Sequence, residues 1–247
     1  MENKTDIIQE KREILKIESL YKKYNNKSKY AVDNVSFTCY EGEKVGLLGI
    51  NGAGKTTTLK CLTGMIPYTK GKITICGYDL VKKPMRARKC FSFVTDNHTV
   101  FLKMTGYEYL SFMSDVYEVP IKERKALIEQ LDEVFHLGEA MGKMISDYSH
   151  GMKQKICMMG SLMHQPDLWI LDEPMIGLDP YMQTNVAEFM NQYVAKGKTI
   201  LFSSHNLDMV ARLCDRVIIL KKGELVADLD IDDEIRQSPE KLSQYYL

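Results

Sequence analysis

The 247-residue sequence predicts an α/β fold built on a mixed or largely parallel central sheet. Three observations predict it. A short apolar run, Val45–Leu48, ends at Gly49 in a glycine-bearing loop that leads into a helical segment. Two later runs, Leu168–Leu171 and Thr199–Phe202, are almost continuously apolar, as expected of parallel strands covered on both faces. Between the first run and these two, residues from about 96 to 165 read as helical, which predicts an inserted α-helical subdomain.

Taken in order, residues 1–13 are polar and charged and form an expected N-terminal arm. Regular structure begins near Leu15, where Leu15 and Ile17 alternate with polar residues in an expected antiparallel β portion. The segment Lys55–Thr63 reads as a helix, with Leu59 and Leu62 on one face and Gly64 as its C-terminal cap. Ile73–Cys76 is a further strand. The helical stretch is rich in Met and Tyr and breaks at Val119-Pro120. Its methionines fill a small helical core or offer an adaptable surface to a partner helix. A helix around Gln183–Val194 separates the two apolar strands, and Val217–Leu220, Lys222-Gly223 and Leu225–Val226 form a hairpin. The expected organisation is the arm at 1–13, one domain at 14–227, and an acidic, then amphipathic, tail at 228–247.

Composition narrows the function. Lys and Arg total 33 and so do Asp and Glu, which argues against a domain that binds nucleic acid by bulk positive charge. A 45% hydrophobic and 27% charged composition excludes a disordered or collagen-like chain. No apolar run approaches the roughly 20 residues of a membrane span, and the N-terminus is charged where a signal peptide needs an apolar core. The six cysteines are scattered without a C-x-x-C pair and read as reduced thiols, so the chain is expected to be soluble and intracellular by itself. The basic cluster Lys82, Lys83, Arg86, Arg88 and Lys89 reads first as a solvated helix face, with contact to lipid headgroups or nucleic acid as the alternative.

Two motifs carry chemistry. Gly49-Ile50-Asn51-Gly52-Ala53-Gly54-Lys55-Thr56 fits G-x-x-x-x-G-K-[ST], after a strand and opening a helix. Glycines let backbone N–H groups wrap phosphates, and the helix N-terminus adds partial positive charge. Lys55 is expected to reach the β- and γ-phosphates and Thr56 to ligate Mg²⁺, which implies a bound nucleoside triphosphate. The run Leu168–Leu171 ends in Asp172-Glu173, at the strand edge where parallel sheets place their ligands. Asp172 is expected to hold Mg²⁺ and Glu173 to act as the general base on water, a role typically worth 10²–10⁴-fold.

Together with three shorter motifs, these make the sequence from about Leu15 to Val226 resemble the ATP-binding subunit of an ABC transporter, with the P-loop NTPase core of that family. Tyr148-Ser149-His150-Gly151-Met152 is similar to the L-S-G-G-Q signature, Gly177-Leu178-Asp179 to the D-loop, and Ser203-Ser204-His205 to the switch histidine. The five motifs fall in the family's order. The resemblance implies ATP held by Gly49, Asn51, Gly52, Ala53, Gly54, Lys55, Thr56 and Thr57, with Tyr24 stacked on adenine and Tyr21 and Tyr30 as rivals for that place. It implies catalytic roles for Glu173 and His205. It also implies that Ser149, His150, Gly151, Met152 and Asp179 serve the ATP of a second subunit. The chain would then pair head to tail, bind a separate transmembrane permease at the cytoplasmic face of the membrane, and power transport of the exporter kind (drugs, antimicrobial peptides or ions). The aromatic patch Phe101, Tyr107, Tyr109 and Phe112 lies where the family docks its membrane subunit.

Two positions depart from the family pattern. His150 and Met152 replace a Gly and a Gln of the signature, while Ser149 and Gly151 keep the hydroxyl and the close backbone approach. Asp96 stands where the family has a Gln that contacts Mg²⁺, so a carboxylate there is a candidate metal ligand that also adds negative charge. Two other readings stay open at this point. One is a soluble ABC-type ATPase acting on nucleic acid or ribosomes, against which the single cassette argues; the other is an ATP-binding switch with little hydrolysis, against which Glu173 argues.

Overall fold

The computed structural model describes residues 11–25, 29–97 and 101–245. The expectations for residues 1–10 and for the last two residues lie outside them. The strands are β1 (Glu13–Lys22), β2 (Val32–Tyr40), β3 (Lys44–Leu48), β4 (Lys70–Ile75), β5 (Tyr78–Asp79), β6 (Phe91–Val94), β7 (Leu168–Asp172), β8 (Thr199–Ser204), β9 (Arg216–Lys221) and β10 (Glu224–Asp230). The helices are α1 (Lys55–Leu62), α2 (Pro84–Lys89), α3 (Gly106–Val116), α4 (Ile121–Phe135), α5 (His150–Leu162), α6 (Pro180–Ala195), α7 (Leu207–Leu213) and α8 (Asp233–Gln237).

The strands form two sheets. An antiparallel sheet has the order β2-β1-β4-β5, and the central sheet has the order β10-β9-β3-β8-β7-β6. All neighbours in the central sheet pair in parallel except the β9–β10 hairpin. The mixed, mostly parallel sheet and the antiparallel N-terminal part are therefore as the sequence predicts. Every residue of β7 and β8 is buried, because each face of the sheet is covered. Leu168 and Ile170 face the core shared with the antiparallel sheet and α1, while Trp169 and Leu171 face the core shared with α3–α6. Each such buried side chain contributes about 1.5–3 kcal/mol. The Trp169 ring is fully buried and its Nε1 donates to Ser161 Oγ at 2.9 Å, so its polar tip is satisfied.

The helical insertion is present as α3–α5, with a break where Val119-Pro120 predicts one; Pro120 stands at the N-cap of α4. Met141, Met158, Met159 and Met163 are buried, so much of the Met-rich stretch fills this core. In the aromatic patch Phe101, Tyr107 and Phe112 are exposed, whereas Tyr109 is buried against Gly160. The basic cluster lies on and before α2 with its charged side chains exposed, and Lys89 pairs with Glu118 at 2.8 Å.

Two elements differ from expectation. β2 is read from the structure rather than the sequence: Asn34 in the left-handed region (φ 52) interrupts its alternation. The tail expected to begin at 228 is not separate from the domain. β10 continues to Asp230, Asp228 forms a two-pronged pair with Arg216, and Leu242 is fully buried against the main core. Arg236 donates to the carbonyls of Ala211, Arg212 and Cys214, closing the C-terminal end of α7. Of the tail's acidic residues, Asp228 is the partner of an arginine and Asp232 caps α8.

Candidate nucleotide site

β3 delivers the chain into the loop Gly49–Gly54, and α1 starts immediately after it. The loop is glycine-rich for measurable reasons. A Cβ on Gly49 would lie 2.6 Å from Leu220 O, and one on Gly54, whose φ is +106, would lie 2.6 Å from Ala31 O. Gly54 is the N-cap of α1 and brings no side-chain cap. By contrast Thr105, Ser149, Asp179, Asn206 and Asp232 each cap the first turn of their helix. The first N–H groups of α1 are thus left for a ligand, and they favour an anion.

Lys55 is buried, and its ammonium donates to Gly49 O at 2.7 Å and lies 3.8 Å from Glu173 Oε1. Burial pushes its pKa below the ordinary lysine value, against the raising effect of the Glu173 and Asp172 charges. A bound polyphosphate would reinforce the charged form.

The acidic end of β7 is held by β8. Ser203 Oγ donates to Asp172 Oδ1 and accepts from the backbone N–H of Glu173 at 3.0 Å. Glu173 takes a left-handed backbone conformation, φ 52, which turns its side chain back over the strand end toward Lys55. His205 follows β8 and its Nδ1 lies 2.8 Å from Glu173 Oε1. A carboxylate only accepts, so Nδ1 carries the proton, and in the neutral ring Nε2 keeps its lone pair. Asp172 is 2% exposed, and its Oδ2 is buried without a hydrogen-bond partner. An unpartnered buried carboxylate oxygen beside a phosphate loop fits a hard divalent cation such as Mg²⁺.

A cleft of about 560 Å³ joins Asn51–Thr57 with Asp96, Glu173, Tyr30, Ala31 and Lys222. It gathers the predicted loop, the general-base candidate and the Asp96 carboxylate in one place. Tyr24 does not line it. Its ring is exposed and its hydroxyl contacts Thr57 Oγ1 at 3.2 Å, while its rival Tyr30 faces the cleft and packs edge-on against Tyr21.

The signature residues stand apart from this cleft. Ser149 caps α5 by accepting from Met152 N at 3.2 Å, and Asp179 caps α6 by accepting from Met182 N at 2.9 Å. Gly151 has a second reason to be glycine, since a Cβ there would lie 2.7 Å from Gly177 O. Gln154, buried on the same helix, donates from Nε2 to Pro174 O. The sequence does not single out Gln154, and it gives Ser203 only as the start of the Ser203-Ser204-His205 motif with no role of its own, because their partners are brought together only by the fold.

Residues 32–176 match the family model described as "ABC transporter". The linearmycin resistance ATP-binding protein LnrL of Bacillus subtilis (strain 168) is 35% identical over 214 residues, covering 87% of this chain and 68% of that protein. The ABC transporter ATP-binding protein NatA of the same organism is 38% identical, covering 79% of this chain and 80% of that protein. A solved structure of an ATP-binding subunit of an ABC transporter superposes with a TM-score of 0.84 at 33% identity, covering 91% of this chain and 92% of that one.

Proposed function

Because the chain belongs to the ABC transporter family, we propose that it is the ATP-binding and ATP-hydrolysing subunit that powers an exporter, and that it works as a head-to-tail pair. The observation that carries this reading is the division of the groups. Lys55, Glu173 and Asp96 line one cleft, whereas Ser149, His150, Gly151 and Met152 lie off it. Ser149–Met152 at the start of α5 then serve a nucleotide held by another copy, and Asp179 borders the same junction. The linearmycin-resistance function named for one relative favours export of a drug-like molecule.

In this mechanism the loop Gly49–Thr56 wraps the phosphates with backbone N–H groups, and Lys55 exchanges its carbonyl partners for phosphate oxygens. Glu173 orients the attacking water and accepts its proton. His205 fixes Glu173 through Nδ1 and presents Nε2 to the terminal phosphate or the water. Thr56, Asp172 and Asp96 would hold Mg²⁺, which when bound offsets phosphate charge. ATP closes the pair and hydrolysis reopens it, and a separate transmembrane permease at the cytoplasmic face converts that motion into transport. Among the described residues no helix is long and apolar enough to cross a membrane.

Asp96→Gln removes a negative charge from a cleft that already holds Glu173 and receives a triphosphate. ATPase activity is expected to stay the same or rise; a loss of more than about tenfold, ~1.4 kcal/mol, would show instead that the carboxylate itself is required. The transport reading is tested by isolating the full chain from detergent-solubilised membranes. A co-purifying polytopic protein is expected, whereas ribosomes or nucleic acid in its place would overturn it.

A further inference from the structure

The far end of the central sheet carries a cluster that nucleotide chemistry does not use. Cys76 opens the turn after β4, Cys90 follows α2, and Asp167 precedes β7. Among the described residues these are the one group of three such side chains whose ligand atoms all lie within 4.8 Å of one another. Asp167 and Asp172 bracket β7, so the cluster sits roughly 17 Å from the nucleotide end of that strand. We propose that Cys76, Cys90 and Asp167 form a binding site for a thiolate-preferring divalent cation of the zinc class, with water as the fourth ligand.

The geometry supports three ligands on one ion. Cys76 Sγ lies 3.8 Å from Asp167 Oδ2. Bond lengths of about 2.3 Å to sulfur and 2.0 Å to oxygen at a tetrahedral ion place those ligand atoms ~3.5 Å apart. A small adjustment therefore closes the site. A lone thiol-to-carboxylate contact would account for that single distance but not for the second thiol at the same point.

The backbone around the ligands is fixed. The N–H groups of Asp167 and Leu168 both donate to Cys90 O, at 2.9 and 3.0 Å, and Cys76 N donates to Ile14 O at 2.8 Å. Three separate chain segments are thus tied before any ion enters. Lys198 Nζ holds Asp167 Oδ1 at 2.9 Å and Gln165 O at 2.9 Å, leaving Oδ2 turned toward Cys76. Such an outer partner orients a ligand carboxylate. The charges also close: two thiolates, one carboxylate and one ammonium sum with a dication to zero. The hydrogen bond between the two thiols and burial hold Cys76 well above the ordinary thiol pKa, while the same hydrogen bond lowers that of Cys90; a bound dication ionises its thiol ligands outright.

The test uses the untagged full chain, reduced, with Mg²⁺ in excess to occupy the nucleotide site. Zn²⁺ is titrated in competition with a chromophoric chelator. One equivalent per chain is expected, held at least about tenfold more tightly than by Cys76→Ser or Cys90→Ser. Co²⁺ should give thiolate-to-metal charge-transfer absorption in the wild type and lose it in both variants. Asp167→Asn, which leaves both thiols in place, should weaken the same Zn²⁺ binding and keeps the proposal testable if a serine variant does not fold. Retained ATP binding by the variants would show that the loss is local. The proposal fails if no Zn²⁺ binds, if binding is equal in all three variants, or if the reduced preparation has a mass two hydrogens short, marking a disulfide.

Discussion

Glu173→Gln is expected to lower ATP turnover by roughly 10²–10⁴-fold while ATP affinity changes little. The substitution is a narrow one in this structure. A glutamine Oε1 still accepts from His205 Nδ1–H, which lies 2.8 Å from the present carboxylate oxygen. The backbone N–H of residue 173 still reaches Ser203 Oγ at 3.0 Å. What disappears is basicity at the point where water is activated, together with the charge facing Lys55 at 3.8 Å. Phosphate release and nucleotide binding, measured side by side on wild type and variant, check the expectation. Equal turnover would remove Glu173 from catalysis and restore the reading of a non-hydrolysing switch.

Ser203→Ala is expected to be nearly as damaging, although its side chain is two atoms long. One hydroxyl satisfies both Asp172 Oδ1 and the Glu173 backbone, in a place where Asp172 is 2% exposed. Its removal leaves both oxygens of a buried carboxylate without a protein partner, since Oδ2 has none already. Stranding a buried polar group costs about 1–3 kcal/mol, which for a chain of this size lowers Tm by roughly 2–12 °C. Turnover should fall more than ATP affinity, because the left-handed turn at Glu173 loses its anchor. Ser203→Thr, which keeps a hydroxyl, should restore much of both. An unchanged Tm and unchanged turnover in the alanine variant would refute the role.

The sequence was most readable where function depends on neighbours along the chain. The loop Gly49–Thr56 is a local device, so its pattern alone predicts strand, loop and helix; the missing side-chain cap on α1 came from the structure. The β7 and β8 strands were legible because burial on both faces leaves continuous apolar runs. Ser203 was not, because its importance arises from pairing with residues about thirty positions away. Gln154 was hidden for the same reason, its partner Pro174 lying in the turn after β7. Gly151 was noticed for its backbone, and the structure adds a crowding carbonyl at Gly177 to the expected approach of an anion. The acidic tail carried no readable role in the sequence, because charge count does not reveal that Asp228 faces Arg216.

The contact between α5 and the segment after β7 has a consequence for timing. Gly151 leaves no room for a side chain against Gly177 O, and Gln154 grips Pro174 O one residue beyond Glu173. The helix presented to a neighbour and the turn that carries this chain's own base therefore move as one piece. In a head-to-tail pair, a shift of Glu173 during hydrolysis at one nucleotide displaces the cap held over the other. For nucleotide binding, coupling of this kind runs equally in both directions. In two copies so joined, the nucleotide sites would be coupled through the close approach that Gly151 permits.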